Sequence, residues 1–545
     1  MASSNILKLF LLLSAVSLSR TWALNSSSSL KCSQNLSSIV STCNTTPYPD
    51  VCIDSLIHSN TSNEINPSIT TYLLNTLHTA ISKSEKLSNM LLDAGNPNNV
   101  IEKQRGTIQD CKELHQITLS SLQRSVSLIQ DAPINQRKQA DAATYLSAAL
   151  TNKNTCLEAL DSASGPLLLT LVSAVRDTYK HVSNALSILA SQESHNNRRL
   201  CFNNRRLMDM GVPSWISKKL ESRTRILESE CDPSKMLTVA ADGTGNFTTI
   251  TDAINFAPNN SNDKTIIYIK KGVYEENVEI PTYKRNIFLR GDGTDATIIT
   301  GKRSVADGWT TFRSTTLAVS GEHFLAQDIC IENKAGAKKH KAVALRVNAD
   351  YVALYRCFIK GFENTLYVHS FRQFYRECDI WGTIDFIFGN AAAVFQGCKI
   401  FSKVPMSGQF TVITAQSRDS PDEDTGISFQ NCSIFKLDDL SSSSSRVKSY
   451  LGRPWGAYSR TVYLNSYIDD FIDPAGWTQS FDDDDNQELN TLYYGEYENY
   501  GPGSLTDDRV TWLGYHIMDD DDACNFTVSE FISGDEWLHS TTFPY

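Results

Sequence analysis

The hydrophobic pattern changes character once along this chain, and the two patterns cannot build the same kind of structure. Between about residues 30 and 190 glycine is nearly absent and apolar residues recur at helical spacing. In Ile108, Cys111, Leu114, His115, Leu119 and Leu122, steps of three and four put one stripe on one face. Leu146, Ala149, Leu150, Cys156, Leu157 and Leu160 continue in that manner. These stripes predict an all-α helical bundle. From Leu237 onward short β-rich runs replace them, at 265–269, 286–289, 297–300, 342–347, 351–359, 393–400, 426–435 and 461–467. Turn residues separate the runs at short, irregular intervals. Many short strands fit a sandwich, a barrel or a β-solenoid, and periodicity alone does not choose among them. At 545 residues the chain is long enough for two such domains.

Between the two patterns, residues 191–232 form a polar, basic linker. It holds Arg198-Arg199, Arg205-Arg206 and Arg223-Thr224-Arg225, and dibasic sites in an exposed linker invite a processing protease. The N-terminus reads as a signal peptide over residues 1–23. Lys8 supplies the charge, Leu9 to Leu18 the apolar core, and Thr21-Trp22-Ala23 the small residues at a cleavage site. That apolar run is too short to span a bilayer, so no membrane association is expected. Sequons begin at Asn25, Asn35, Asn44, Asn60, Asn246, Asn259, Asn431 and Asn525, and thirteen cysteines suit an oxidising compartment. A net charge of -11 argues against nucleic acid as a partner. The acidic runs Asp482–Asp485 and Asp519–Asp522 lack the spacing of a calcium loop, and neither a metal nor a cofactor is expected.

Several segments resemble plant pectin methylesterases. They are Gly272-Val273-Tyr274-Glu275-Glu276, Tyr367-Val368-His369-Ser370, Thr383-Ile384-Asp385-Phe386-Ile387-Phe388-Gly389-Asn390 and Leu451-Gly452-Arg453-Pro454-Trp455. The resemblance covers about residues 235–542 and implies a right-handed parallel β-helix. Gln109-Asp110-Cys111 and Tyr145 through Asn152, ending in Cys156, resemble the pectin methylesterase inhibitor domain. The implied organisation is a signal peptide at 1–23, an inhibitor-like helical pro-domain at 24–190, a processing linker at 191–232 and a β-helix domain at 233–545. Family pattern implies disulfides Cys43–Cys52, Cys111–Cys156, Cys330–Cys357 and Cys398–Cys432. It leaves Cys32, Cys201, Cys231, Cys378 and Cys524 unassigned. Secretion to the cell wall, methylesterified pectin as substrate and intramolecular inhibition by the pro-domain follow from the same resemblance.

In that family one aspartate attacks the methyl ester, a second carboxyl protonates the leaving methanol and then activates water, and amide side chains donate to the oxyanion. The resemblance makes Asp385 the nucleophile, Arg453 the arginine that holds it and Trp455 an aromatic platform for sugar. Three positions depart from the pattern. Lys341 and Glu363 replace the two amide donors, and Asn364 replaces the acid/base aspartate. An amide cannot shuttle a proton. In one reading the carboxyl–amide pair is swapped: Glu363 takes the acid/base role, Asn364 donates to the oxyanion and Lys341 stabilises its charge. In the other the site is dead and the groove only binds pectin. A lysine near Glu363 would favour its ionised form, which opposes use as an acid. The expectation is therefore a pectinesterase with reduced or altered activity, and the alternative is an inactive pectin-binding or inhibitor-type homologue.

Overall fold

The computed structural model describes residues 36–58, 68–131, 135–193, 236–441, 447–479 and 488–545. The expected signal peptide, nearly all of the linker, the sequons at Asn25, Asn35 and Asn60, and Cys32, Cys201 and Cys231 lie outside the described residues. Asn44, Asn246, Asn259, Asn431 and Asn525 are all exposed, as a glycan acceptor must be. Among the described residues no helix is long and apolar enough to cross a membrane.

The N-terminal part is a helical bundle of α1 (Pro49–Ile57), α2 (Ile69–Ala94), α3 (Thr107–Gln130), α4 (Gln136–Asp161) and α5 (Leu168–Glu193). Proline opens α1, where its missing N–H leaves no bond unmade. The stripe read from the sequence on α3 is buried at Ile108, Cys111, Leu114 and Leu122. By compactness the chain forms two units, one drawn from residues 1–89, 119–146 and 173–197, the other from 90–118, 147–172 and 198–545. The division runs through α2, α3, α4 and α5. Helical stretches 90–118 and 147–172 belong to one compact unit with the strands. In the first unit the Asn184 side chain clamps Tyr48, donating to its carbonyl at 2.9 Å and accepting from its amide at 3.0 Å. Disulfides join Cys43 to Cys52 in the first unit and Cys111 to Cys156 in the second.

The C-terminal part is a parallel β-helix of three sheets with 11, 7 and 8 strands. Successive strands of a sheet belong to successive coils, and every pairing is parallel, which excludes the sandwich and the up-and-down barrel. The seven-stranded sheet and the turns that enter it hold the residues expected at the site. Its strands in chain order are β1 (Val278–Ile280), β2 (Leu317–Val319), β3 (Leu345–Val347), β4 (Leu366–Val368), β5 (Ile387–Gly389), β6 (Thr411–Gln416) and β7 (Ser449–Pro454). Because the side-chain period is two, the middle residue of each short strand faces outward while Leu345, Leu366 and Ile387 face the core. Inside, like stacks on like from coil to coil. Tyr375, Phe395, Phe429 and Tyr463 form a continuous ring stack with centroids 4.6, 4.9 and 4.5 Å apart.

The expected disulfides Cys330–Cys357 and Cys398–Cys432 are not formed, and all four residues are buried thiols. Register explains the first. Cys330 pairs with Phe358, so it lies one residue out of step with Cys357 and the alternation of the strand separates them. Cys398 and Cys432 do occupy adjacent coils, with Cys378 below them. Each thiol instead donates to a carbonyl of the preceding coil: Cys398 to Tyr375 at 3.3 Å and Cys432 to Phe395 at 3.3 Å. Cys524 is disulfide-bonded.

The ring stack gives a test of the core. Phe429 is fully buried between two parallel rings. Phe429→Ala should destabilise the β-helix by about 3–5 kcal/mol, read from the shift of its chemical denaturation midpoint.

Candidate active site

Stacking in register brings distant sequence segments to one place. Leu345 lies beside Leu366, and Leu366 beside Ile387. The turns that enter β3, β4 and β5 are therefore neighbours, and they carry Lys341, Glu363, Asn364 and Asp385. Backbone bonds from Ala342 to Glu363 at 3.2 Å and from Asn364 to Ile384 at 3.1 Å tie these turns together. His340, Asn364 and Asp385 all adopt positive φ, at 54°, 60° and 49°. Such backbone is sparsely populated outside glycine and is held only where the surroundings impose it.

Asp385 is buried and meets Arg453 of β7 in a two-pronged ion pair, Nε to Oδ1 at 2.8 Å and Nη2 to Oδ2 at 2.5 Å. That fork fixes the carboxylate plane, which a lysine would not do. Trp455 follows Arg453 and remains 40% exposed, its ring 5.7 Å from Phe388. An open indole face beside the carboxylate suits a sugar ring. Asn364 is 4% exposed, and its Oδ1 has no hydrogen-bond partner. A buried acceptor left unpaired is rare and costly, and here it stands in register next to Asp385.

Glu363 is half-buried and lies 3.4 Å from His340 Nδ1, a contact the sequence gave no reason to expect. Burial raises the Glu363 carboxyl above its usual range. His340 and then Lys341 pull it down, and the charge of Asp385 pushes it up again. Lys341 thus does not prevail: burial outweighs it and the carboxyl is biased towards its proton-holding form.

The middle residues of the seven strands form a second row across the same face. Register aligns Glu279, Ala318, Arg346, Tyr367, Phe388, Ala415 and Arg453. Tyr367 and Phe388 stack at 4.2 Å, giving an aromatic floor. Gly389 ends β5 at φ 125°, and a Cβ there would stand 2.2 Å from the Val368 carbonyl. Only glycine lets the chain turn here and present Asn390.

Within the same compact unit, residues of α3 and α4 meet this face. Asp110 accepts from Arg313 Nε at 2.6 Å and from Thr310 at 2.5 Å. Glu113 accepts from Arg313 Nη2 and, at 3.1 Å, from Ser320. Thr155 bonds His369 at 3.0 Å, and Asn390 donates to Thr151 at 2.9 Å. Leu114 packs with Phe312, Val343, Tyr367, Phe388 and Ala415. None of these partnerships was visible in the sequence, since the residues joined stand some two hundred positions apart.

Known proteins place this geometry. A family model described as Pectinesterase matches residues 236–535, and one described as Plant invertase/pectin methylesterase inhibitor matches residues 37–188. The chain belongs to the pectinesterase family. It is 61% identical to "Probable pectinesterase/pectinesterase inhibitor 12" of Arabidopsis thaliana over 516 residues, covering 93% of each chain. It is 41% identical over 445 residues to "Pectinesterase/pectinesterase inhibitor" of Ficus pumila var. awkeotsang, covering 81% of this chain and 80% of that one. Among solved structures, "Pectin methylesterase from Carrot" superposes with TM-score 0.56 at 50% identity, over 57% of this chain and 96% of that one. The chain is thus a pectinesterase-family carboxylic ester hydrolase with an inhibitor-like helical part.

The carboxylates on this face make stability depend on pH. Burial, partly offset by Arg313, raises Asp110 to about 6, and burial raises Glu423 to about 7. Both folded values exceed the unfolded ones. Their contribution is therefore fully present in acid and is lost as pH rises through about 6 to 7. The thermal midpoint of the full chain should be higher at pH 5 than at pH 8, and Asp110→Asn should shrink that difference, as calorimetry can show.

Proposed function

We propose that this chain is a secreted pectinesterase of the plant cell wall that hydrolyses C6 methyl esters of homogalacturonan and releases methanol. Asp385 attacks the ester carbonyl, forming an acyl–enzyme linkage. Glu363 gives its proton to the departing methoxide, so that methanol leaves. It then takes a proton from water, whose oxygen attacks the acyl carbon, frees the galacturonate and restores Asp385. Lys341 and the Asn364 amide stabilise the charge on the carbonyl oxygen. Arg453 keeps Asp385 in plane and Trp455 carries the sugar. The observation that supports the swapped pair best is Glu363 itself: half-buried, raised by burial and electrically coupled to Asp385. A carboxyl raised by burial beside one gripped by a guanidinium gives the unlike surroundings that an acid and a nucleophile require.

The organisation supports the remaining parts of the proposal. A signal peptide over residues 1–23 directs export, and a protease cuts within 191–232. The helical part at 24–190 inhibits the β-helix domain at 233–545 in cis, since Thr155, Thr151 and Asp110 hold side chains of the groove. Neither nucleic acid nor membrane takes part. A second reading rests on Asn364. It occupies the family acid/base position and cannot transfer a proton, which supports an inactive pectin-binding homologue.

Methanol release from highly esterified pectin separates the two. Asp385→Asn should abolish it. Glu363→Gln should lower it by about a hundred- to ten-thousand-fold if Glu363 is the proton carrier. The triple variant Lys341→Gln, Glu363→Gln, Asn364→Asp restores the family pattern. Activity that appears only in that variant would establish the inactive reading. Natural activity unaffected by Glu363→Gln would show that another group carries the proton.

A further inference from the structure

Arg346 stands in the outward row of the seven-stranded sheet, four strands from Arg453. Four inter-strand steps of about 4.8 Å separate the backbones of the two residues by roughly 19 Å. Between them the row is Tyr367, Phe388 and Ala415, so an aromatic floor runs from the catalytic arginine to a second arginine. Arg346 is 1% exposed, its guanidinium lies 3.2 Å from the Phe312 ring centre, and its Nε and Nη1 have no partner. Its carboxylate neighbour is Glu113, at a loose 3.9 Å. A buried guanidinium with two unused donors is poorly matched to the helix that covers it. Arg313 adjoins it on the loop before β2 and is taken by Asp110 and Glu113. Those two carboxyls stand three residues apart on α3, side by side on one helical face.

We propose that Arg346 and Arg313 form an anion subsite for free galacturonate carboxylates of partly de-esterified pectin, and that Asp110 and Glu113 occupy it as mimics of two substrate carboxylates. This rests on the reading of the chain as a pectin-acting protein. The chemistry is specific. A methyl ester offers a guanidinium only neutral acceptors, whereas a carboxylate offers a charged acceptor to a donor that Arg346 leaves unused. A polymer laid along the row would place an esterified residue at Asp385 and a de-esterified stretch at Arg346. The helices then compete with that stretch for the same two cations.

The test uses the full chain and a fully de-esterified galacturonate hexamer, followed by calorimetry at low salt. Asp110→Asn with Glu113→Gln should bind the hexamer at least about tenfold tighter than the unmodified chain, with the gain falling as salt rises. Adding Arg346→Gln should remove the gain, and a fully methyl-esterified hexamer should not show it. A double variant that binds the acid hexamer no better than the unmodified chain would overturn the proposal, as would a gain that survives Arg346→Gln. Should the double variant fail to fold, hydrogen exchange of the 107–118 amides in the unmodified chain decides. Faster exchange on adding millimolar hexamer supports competition, and unchanged exchange refutes it. Methanol release is measured on the same preparations. Its absence with Arg346-dependent binding retained would remove the esterase reading and leave the subsite. Its presence without such binding would remove the subsite and leave the esterase.

Discussion

The in-register stacking of one coil on the next governs this protein. Leu345, Leu366 and Ile387 sit one above another because parallel backbone ladders and a shared apolar interior permit no slip. A shift of one residue would turn every core side chain outward. The same ladder that buries Leu366 therefore decides where Asp385 stands relative to Asn364, and where Arg453 stands relative to Ala415. The site is a by-product of register. Its precision comes from the rigidity of the core beneath it, which is where a constellation of this kind has to be built.

Electrostatics on the sheet face pull in two directions. Asp385 is gripped by a forked guanidinium, while the carboxyl of Glu363, a coil away, is raised by burial. Neighbouring carboxyls kept apart in this way can divide nucleophilic and proton-transfer work. The departures from family pattern at Lys341, Glu363 and Asn364 then form one connected change. A carboxyl moved by one position needs a new donor beside it, and the adjoining turn supplies the His340 ring 3.4 Å away and the cation of Lys341.

Further along the face the same logic applies to a pair of arginines. Arg313 and Arg346 are buried cations, and a buried cation demands a carboxylate. Within this unit Asp110 and Glu113 meet the demand, tightly for Arg313 and loosely for Arg346. Burial raises Asp110 to about 6 in spite of its partner, so the contact is sensitive to acidity near that value.

Sequence by itself determined a good deal. Helical spacing in one stretch and short β runs in the other follow from local side-chain patterning, and that patterning holds wherever a single face is buried. The family resemblance of the motifs around Asp385 and Arg453 implied their ion pair, and a carboxylate and a guanidinium are chemically complementary whatever joins them. Disulfides Cys43–Cys52 and Cys111–Cys156 were legible in the same way. Tertiary structure alone decided the rest. Periodicity could not choose a solenoid, since strands in all three β architectures alternate alike. Cys330 and Cys357 were expected to pair, yet register sets them one residue out of step, and Cys398 and Cys432 found carbonyl acceptors instead. The bonds from Asp110 to Arg313 and from Thr155 to His369 join residues about two hundred positions apart. No local pattern encodes such pairs, because only the finished stack of coils brings their partners to one surface.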